Sequence, residues 1–451
     1  MRHTLIKNAR IINEGIITHG DMLIVDKRIE KIAPQISIPT NLSFKEINAE
    51  NLYLIPGMID AHVHFRDPGY PLKGTIRSES IAAVEGGITS FMDMPNTLPS
   101  VLTNEILEEK YKIAAENSYC NYSFFMGLSK NNLEEALRTS TEDVCGLTDD
   151  GLYFHNDEGL LCNHPSYLEK LFSKSEHLLA LHSEDDSIIS ENLKKYQTKF
   201  GEFIPPHYHM LIRSEEACLR STIDLINLSS KYSNRLHLLH ISTSSEANLF
   251  SAKEKVSEKR ITSETCIHYL YFNEKDHHKY GNLIKWNPAI KSEKDQLGLL
   301  DALNDNRIDF IATDHAPHSF GEKIGNYLNS KSGAPMVQHA LPVLFEFYHQ
   351  GKITLEKIVD KTSHSVAEAY RIKDRGYLRE GYYADIVLTD LESRWTVTNE
   401  SISYGCKWSP LLHHDFKAKI EKVMINGNVI VDRGINEVLP TGMRLKFEKI
   451  R

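Results

Sequence analysis

The chain has 451 residues, 41% hydrophobic and 25% charged, with a net charge of −9. That is enough sequence for one large domain plus an accessory one, and too ordinary a composition for a disordered protein. The acidic balance argues against a nucleic-acid or membrane-surface binder, and no apolar run approaches the ~18 residues of a spanning helix.

The first fifty residues read as β structure. Thr4–Ile12 and Asp21–Ile32 alternate apolar and polar residues around Gly15 and Gly20. From Gly57 the pattern changes to short apolar runs separated by helical stretches. The runs are Gly57–Val63, Ser90–Met94, Tyr122–Met126, Asp143–Leu147, His177–Leu181, Leu236–Ile241, Arg260–Cys266 and Asp309–Ala312. Amphipathic helices are predicted at Asn104–Glu116, Tyr167–Phe172, Glu215–Lys231 and Ser292–Leu303. Eight strand–helix units predict a (β/α)8, TIM-like barrel over residues 56–375. Beyond it, Ala384–Leu388 and Ile420–Val431 alternate again, with a turn at Asn426-Gly427-Asn428. The two β-rich ends, 1–55 and 376–451, are expected to form one small β-sandwich. Met1–Lys7 lacks the apolar core of a signal peptide. The six cysteines, 120, 145, 162, 218, 266 and 406, form no CxxC pair and read as reduced cysteines of a cytoplasmic protein.

The polar residues at the ends of these runs carry the chemistry. In a (β/α)8 barrel the active site lies at the C-terminal ends of the strands. The first run ends in His62 and His64, two residues apart, so both point the same way on a strand. The second ends in Asp93, Pro95 and Asn96, the fourth in Thr148-Asp149-Asp150-Gly151, and the fifth in His182-Ser183-Glu184. The sixth ends in His240 and the eighth in Asp314-His315, with His318 close behind. A lone histidine such as His182 or His240 is more often a hydrogen-bonded core residue than a ligand. Convergence on one end of several different strands outweighs that reading. Four histidines and two acids suit Zn²⁺, with Mn²⁺ or Co²⁺ as substitutes. Six protein ligands exceed the needs of one catalytic zinc; two ions sharing a carboxylate and a hydroxide fit better. Asp149 and Asp150 are adjacent, so only one of them readily enters the mouth. His155, His164, His207, His209, His237, His413 and His414 lack such placement and read as surface or packing residues.

These motifs resemble those of the dihydroorotases, within the amidohydrolase superfamily. The family carries D-x-H-V-H-F-R-[ED]-P-G, M-P-N-T and A-T-D-H-A-P-H; this chain has Asp60–Gly69, Met94–Thr97 and Ala312–His318. The resemblance spans nearly the whole chain, including the split β domain. It implies that His62, His64 and Asp314 serve one zinc, that His182 and His240 serve a second, and that a carboxylate bridges them. Many relatives bridge with a carboxylated lysine, but no lysine lies between Asp143 and Asn163. One dihydroorotase branch has T-D-D-G there with the second aspartate bridging, which selects Asp150, with Asp149 as the alternative. Arg66 and Asn96 would hold the substrate carboxylate, Asn287 and His318 would contact the ring or its carboxylate, and the backbone near Gly333-Ala334-Pro335 would close over it. The segment Asn287-Pro288-Ala289-Ile290-Lys291 departs from the N-P-P-L-R common in relatives. The implied reaction is reversible hydrolysis of L-dihydroorotate to N-carbamoyl-L-aspartate, with Asp314 as general base and acid. A homodimer and association with aspartate transcarbamoylase are the implied partnerships. The alternatives are a hydantoinase or allantoinase, whose relatives usually lack the arginine after the second histidine, and a non-catalytic homologue that supports the transcarbamoylase.

Overall fold

The computed structural model describes residues 2–39, 41–152, 164–432, 434–435 and 439–449. His155 and Cys162 lie outside them. The N-terminal strands are β1 (His3–Asn13), β2 (Ile16–Val25), β3 (Arg28–Ala33), β4 (Lys45–Asn48) and β5 (Tyr53–Pro56). The single run predicted at Asp21–Ile32 is thus the end of β2, a turn and β3. Asp26 takes a positive φ of 54° at that turn, where an aspartate is tolerated.

The central strands are β6 (Met58–Val63), β7 (Ile88–Asp93), β8 (Asn121–Phe124), β9 (Met126–Gly127), β10 (Leu147–Thr148), β11 (Leu178–Leu181), β12 (Arg235–Leu238), β13 (Ile261–Cys266) and β14 (Phe310–Ala312). All their pairings are parallel, in the orders β6-β7-β8 and β9-β10-β11-β12-β13-β14. Only Phe125 separates β8 from β9, and its N–H donates to the Asp93 carbonyl at 3.2 Å. The two segments therefore act as one kinked strand, and the count of barrel strands is eight. The last strand returns to the first through a parallel bridge between Val63 and His315 and a bond from His64 N–H to the His315 carbonyl at 2.8 Å. Every residue of β6, β7 and β14 is buried. That is why these segments read as continuous apolar runs, since strands of a parallel barrel are covered on both faces. The fourth strand is shorter than its run. Asp143 lies before it and instead anchors the C-terminal segment, pairing with Lys446 while its carbonyl accepts from the Arg444 guanidinium at 3.2 Å.

The predicted helices form at Asn104–Asn117, Pro165–Lys174, Glu215–Tyr232 and Glu293–Asn304. Thr103, Ser214 and Ser292 cap three of them, each side chain accepting a backbone N–H of the first turn. A further helix, Asp186–Phe200, follows β11 and has no fully buried residue. Its apolar stripe, Ile189, Leu193, Tyr196 and Phe200, packs on Ile204, Ile212 and Tyr327. This spacing is helical, yet only the partner surface makes the stripe a wall of the barrel mouth.

The C-terminal strands are β15 (Ile386–Asp390), β16 (Trp395–Thr396), β17 (Asp415–Phe416), β18 (Lys419–Ile425) and β19 (Asn428–Asp432). β19-β18-β15-β5-β1-β2-β3, with β4 on β1, make one eight-stranded sheet from both ends of the chain. Ile29 of β3 and Met424 of β18 share one apolar core with Ile6, Ile47, Leu54 and Leu388, so the sheet curls over itself. β18 and β19 meet at the two-residue turn Asn426-Gly427, with φ of 51° and 71°, the positive values a type I′ hairpin needs. A buried network joins this sheet to the barrel. Arg375 pairs with Asp385 and donates to Asn426 at 2.9 Å, while Asn121 at the start of β8 donates to Asp385 at 3.0 Å.

Candidate metal centre and substrate cavity

His62, His64, Asp150, His182, His240 and Asp314 come from five barrel strands and meet at one end of the barrel. All six are buried. Asp150 lies between two pairs of histidines. Its Oδ2 is 3.4 Å from His62 Nε2 and 3.3 Å from His64 Nε2, while its Oδ1 is 3.2 Å from His182 Nδ1 and 3.5 Å from His240 Nε2. Asp314 Oδ1 joins the first pair, 3.2 Å from His64 Nε2 and 3.5 Å from His62 Nε2. Asp149 points elsewhere: its Oδ1 accepts the His182 backbone N–H at 3.1 Å, and burial pushes its carboxyl up to about 6. Burial also raises Asp150, but the imidazoles of His182, His240 and His62 around it hold it well below the usual carboxylate range.

This donor set fits divalent cations. Ligands ~2.0–2.1 Å from a tetrahedral zinc stand roughly 3.3 Å apart, the separation found here. His62 Nε2 and both ring nitrogens of His240 are buried without a hydrogen-bond partner among the described residues. Such groups are costly unless something binds them. His62, His64 and Asp150 form one potential ligand group, and Asp150, His182 and His240 another.

The histidines are oriented from behind. His62 Nδ1 meets Glu264 Oε1 at 2.7 Å, and Glu264 Oε2 meets His237 Nε2 at 3.2 Å. His182 Nε2 meets Glu184 at 2.8 Å, and Glu184 in turn pairs with Arg213. His64 Nδ1 meets Asn96 Oδ1 at 2.9 Å. Glu264 sits on β13 with all of its neighbours on that strand buried except the first residue, Ile261. Glu264 lies inside the strand predicted at Arg260–Cys266 and not at its end, so strand-end position does not single it out. Glu264→Gln is expected to weaken metal binding by about 10- to 100-fold, the usual cost of losing such a support. Competition against a fluorescent chelator measures it; unchanged affinity refutes the supporting role.

Other acids hold the backbone in place. Asp60 accepts from Thr313 N–H at 3.1 Å and Thr313 Oγ1 at 2.6 Å, tying the first strand to the eighth; burial pushes it up to about 7. Asp93 is not at the mouth chemistry: it pairs with buried Lys110 at 2.5 Å and accepts Phe65 N–H at 2.7 Å. His315 is turned away, with Nε2 on Glu79 at 2.8 Å. Arg66, His240 and Asp314 all have positive φ, 66°, 39° and 43°. Such backbone costs roughly 1–3 kcal/mol per residue and collects at functional sites.

A cavity of about 590 Å³ opens from the Asp150–Asp314 face. Arg66, Asn96, Asn287 and His318 line it. Asn96 Oδ1 is engaged with His64 Nδ1, so what Asn96 can offer an anion in the cavity is its Nδ2 amide donor. Asn287 Oδ1 is buried and has no hydrogen-bond partner among the described residues. Ala334 and Pro335 do not line the cavity. Ser332 and Gly333 do, and the Ala334 carbonyl accepts from Ala316 N–H at 3.1 Å instead. His209 and His237 are more than packing residues: His209 lines the cavity and bonds Tyr327 at 2.7 Å, and His237 supports Glu264. Lys73, Arg213, Lys285 and Lys331 also line the cavity, together with the acids Asp150, Asp314 and Glu322.

Arg66 is buried, and burial lowers its pKa. Its Nε donates to the Pro317 carbonyl at 3.2 Å, and no carboxylate pairs with it among the described residues. The amidohydrolase family pattern matches residues 53–430. The chain belongs to the amidohydrolase family. A dihydroorotase of Lactobacillus acidophilus is 30% identical over 96% of this chain and 99% of its own. A dihydroorotase of Ehrlichia chaffeensis is 28% identical over 93% of each. Among solved structures, the L-hydantoinase of Arthrobacter aurescens superposes with a TM-score of 0.89 at 21% identity, over 99% of this chain and all of that one. This last likeness concerns the fold. As an amidohydrolase, the protein is a hydrolytic enzyme acting on cyclic amides, of a metal-dependent family. No helix among the described residues is long and apolar enough to cross a membrane.

Proposed function

We propose that this amidohydrolase is a dihydroorotase. It hydrolyses L-dihydroorotate reversibly to N-carbamoyl-L-aspartate, a step of pyrimidine biosynthesis, in the cytoplasm. Residues 56–375 form the hydrolase unit and the two termini its accessory domain. One observation carries the reading: Arg66 is a buried guanidinium on the cavity wall beside the histidine–aspartate cluster, with no carboxylate of its own. A substrate that brings a carboxylate supplies the missing partner, and the planar fork takes it bidentately. The curated relatives named dihydroorotase over nearly the full length support the same choice.

Two zinc ions, held by His62, His64, His182, His240, Asp150 and Asp314, would supply Lewis acidity and a water of lowered pKa. The chain's own groups do the rest. Asp314 lies against the first histidine pair, where it takes the proton from the attacking water and returns it to the leaving ring nitrogen. Burial raises the Asp314 carboxyl, but His62 and His64 hold it below the ordinary value, so it starts as a base. Arg66, with His318 3.4 Å from it, fixes the far end of the substrate, so the ring amide meets Asp314 in one orientation.

The test is a zinc-loaded preparation assayed on dihydroorotate, hydantoin and allantoin. Turnover of dihydroorotate alone is expected. Turnover of hydantoin without dihydroorotate replaces this reading with a hydantoinase, and no turnover of any leaves the non-catalytic homologue. Elemental analysis is expected to find about two zinc ions per chain. The homodimer and a transcarbamoylase complex are proposals that light scattering, alone and with the transcarbamoylase, decides.

A further inference from the structure

A histidine outside the metal centre ties three loops of the barrel mouth together. His209 opens the short helix His209–Ile212, on the connection after the fifth barrel strand, and is buried. Its Nδ1 is 2.7 Å from Tyr327 Oη, on the segment after the eighth strand. Its Nε2 is 2.6 Å from the Trp286 carbonyl, on the connection after the seventh. All three residues line the cavity.

These partners decide where the imidazole proton sits. A carbonyl only accepts, so Nε2 carries the N–H; Nδ1 is then the lone-pair nitrogen and accepts the Tyr327 hydroxyl proton. Burial first, then the Lys285 and Arg213 cations, hold the ring well below its ordinary value, so it is neutral. With both nitrogens engaged, His209 has no N–H left for a substrate. It acts on what it holds. The Trp286 carbonyl belongs to the peptide that carries the Asn287 N–H. Tyr269 Oη donates to the carbonyl on the other side, that of Pro288, at 2.7 Å. Asn287 therefore stands between two pinned carbonyls. Its own side-chain oxygen lacks a hydrogen-bond partner among the described residues, and Asn287 lines the cavity. We propose that His209 is a positioning residue for substrate binding: its Nε2–H fixes the Trp286–Asn287 peptide, and through it the Asn287 amide that meets the ring of the cyclic amide.

The inference rests on the dihydroorotase reading only for the choice of probe. A glutamine amide reaches about where Nε2 stands and an asparagine amide about where Nδ1 stands. His209→Asn thus keeps the reach to Tyr327 and loses the Trp286 carbonyl, whereas His209→Gln keeps the carbonyl. His209→Asn is expected to raise KM for dihydroorotate about 3- to 10-fold, the span for one neutral hydrogen bond. Metal content and kcat are expected to change far less, as for a contact made equally in the ground and transition states. His209→Phe, which fills the space of the ring, is the second variant with the same expectation, and His209→Gln is expected to restore KM. In an Asn287→Ala background His209→Asn is expected to add nothing further, because the effect passes through Asn287.

A second readout needs no substrate. Trp-Asn occurs once in the chain, at 286–287. Carbonyl-¹³C tryptophan combined with ¹⁵N asparagine therefore gives a single correlated peak for that peptide. The peak is expected to move in His209→Asn and His209→Phe and to return in His209→Gln. A peak or a KM that stays put in both His209→Asn and His209→Phe overturns the proposal. So does a KM rise that His209→Gln does not reverse, or that adds in full to Asn287→Ala, since His209 then serves packing alone. Wild-type protein that turns over hydantoin and not dihydroorotate overturns the functional reading instead, and the same variants are then read with hydantoin. If it turns over neither, the dissociation constant for dihydroorotate replaces KM beside the peptide peak.

Discussion

Asp150→Ala is expected to strip metal from both positions and to lower kcat/KM by roughly 10³-fold or more, since a bound metal contributes several kcal/mol to such a reaction and each 1.4 kcal/mol is a factor of ten. The geometry argues for both losses together. One carboxylate oxygen faces His62 and His64, and the other faces His182 and His240. The groups His62–His64–Asp150 and Asp150–His182–His240 share Asp150, so removing it leaves two histidines on one side and two histidines with Asp314 on the other. Asp149→Ala is the control. Its carboxylate holds the His182 backbone and faces neither pair, so metal content is expected to survive even where thermal stability falls. Elemental analysis of both variants decides. Metal retained in Asp150→Ala and lost in Asp149→Ala reverses the assignment.

Arg66→Lys is expected to reduce kcat/KM for dihydroorotate by about 10²- to 10³-fold with metal content intact, the range for truncating one partner of a buried charge pair. A lysine keeps the charge but loses the fork and the Nε donor that the Pro317 carbonyl fixes at 3.2 Å. The effect belongs to carboxylate recognition, so amides without a carboxylate are expected to be little affected. Equal losses on both kinds of substrate would mean that Arg66 only supports the loop, through its carbonyl contact and its positive φ.

The barrel was legible in the sequence because its strands are buried on both faces and so stand out as apolar runs between helical stretches. The run at Asp143–Leu147 shows the limit of that signal. Only Leu147 of it enters the two-residue strand Leu147–Thr148, because Asp143 is committed to Lys446 at the far end of the chain. The helix Asp186–Phe200 escaped notice for a related reason. Its apolar stripe is half covered, and its partners Ile212 and Tyr327 come from distant segments.

The candidate site divides along the same line. Strand-end position and the parity of His62-x-His64 are local properties, so the sequence alone singled out the residues that could serve as ligands. Parity also showed that Asp149 and Asp150 face opposite ways, but not which one faces inward. That was decided by the barrel, which brings strands four, five and six side by side and leaves the Asp149 carboxylate on the His182 backbone. The groups behind the ligands were likewise invisible. Glu264 lies 202 residues from His62 and Tyr327 lies 118 from His209, and nothing local marks either as a partner. A histidine's chemistry is set by whatever meets its second nitrogen, and in this chain only the closed fold makes those meetings.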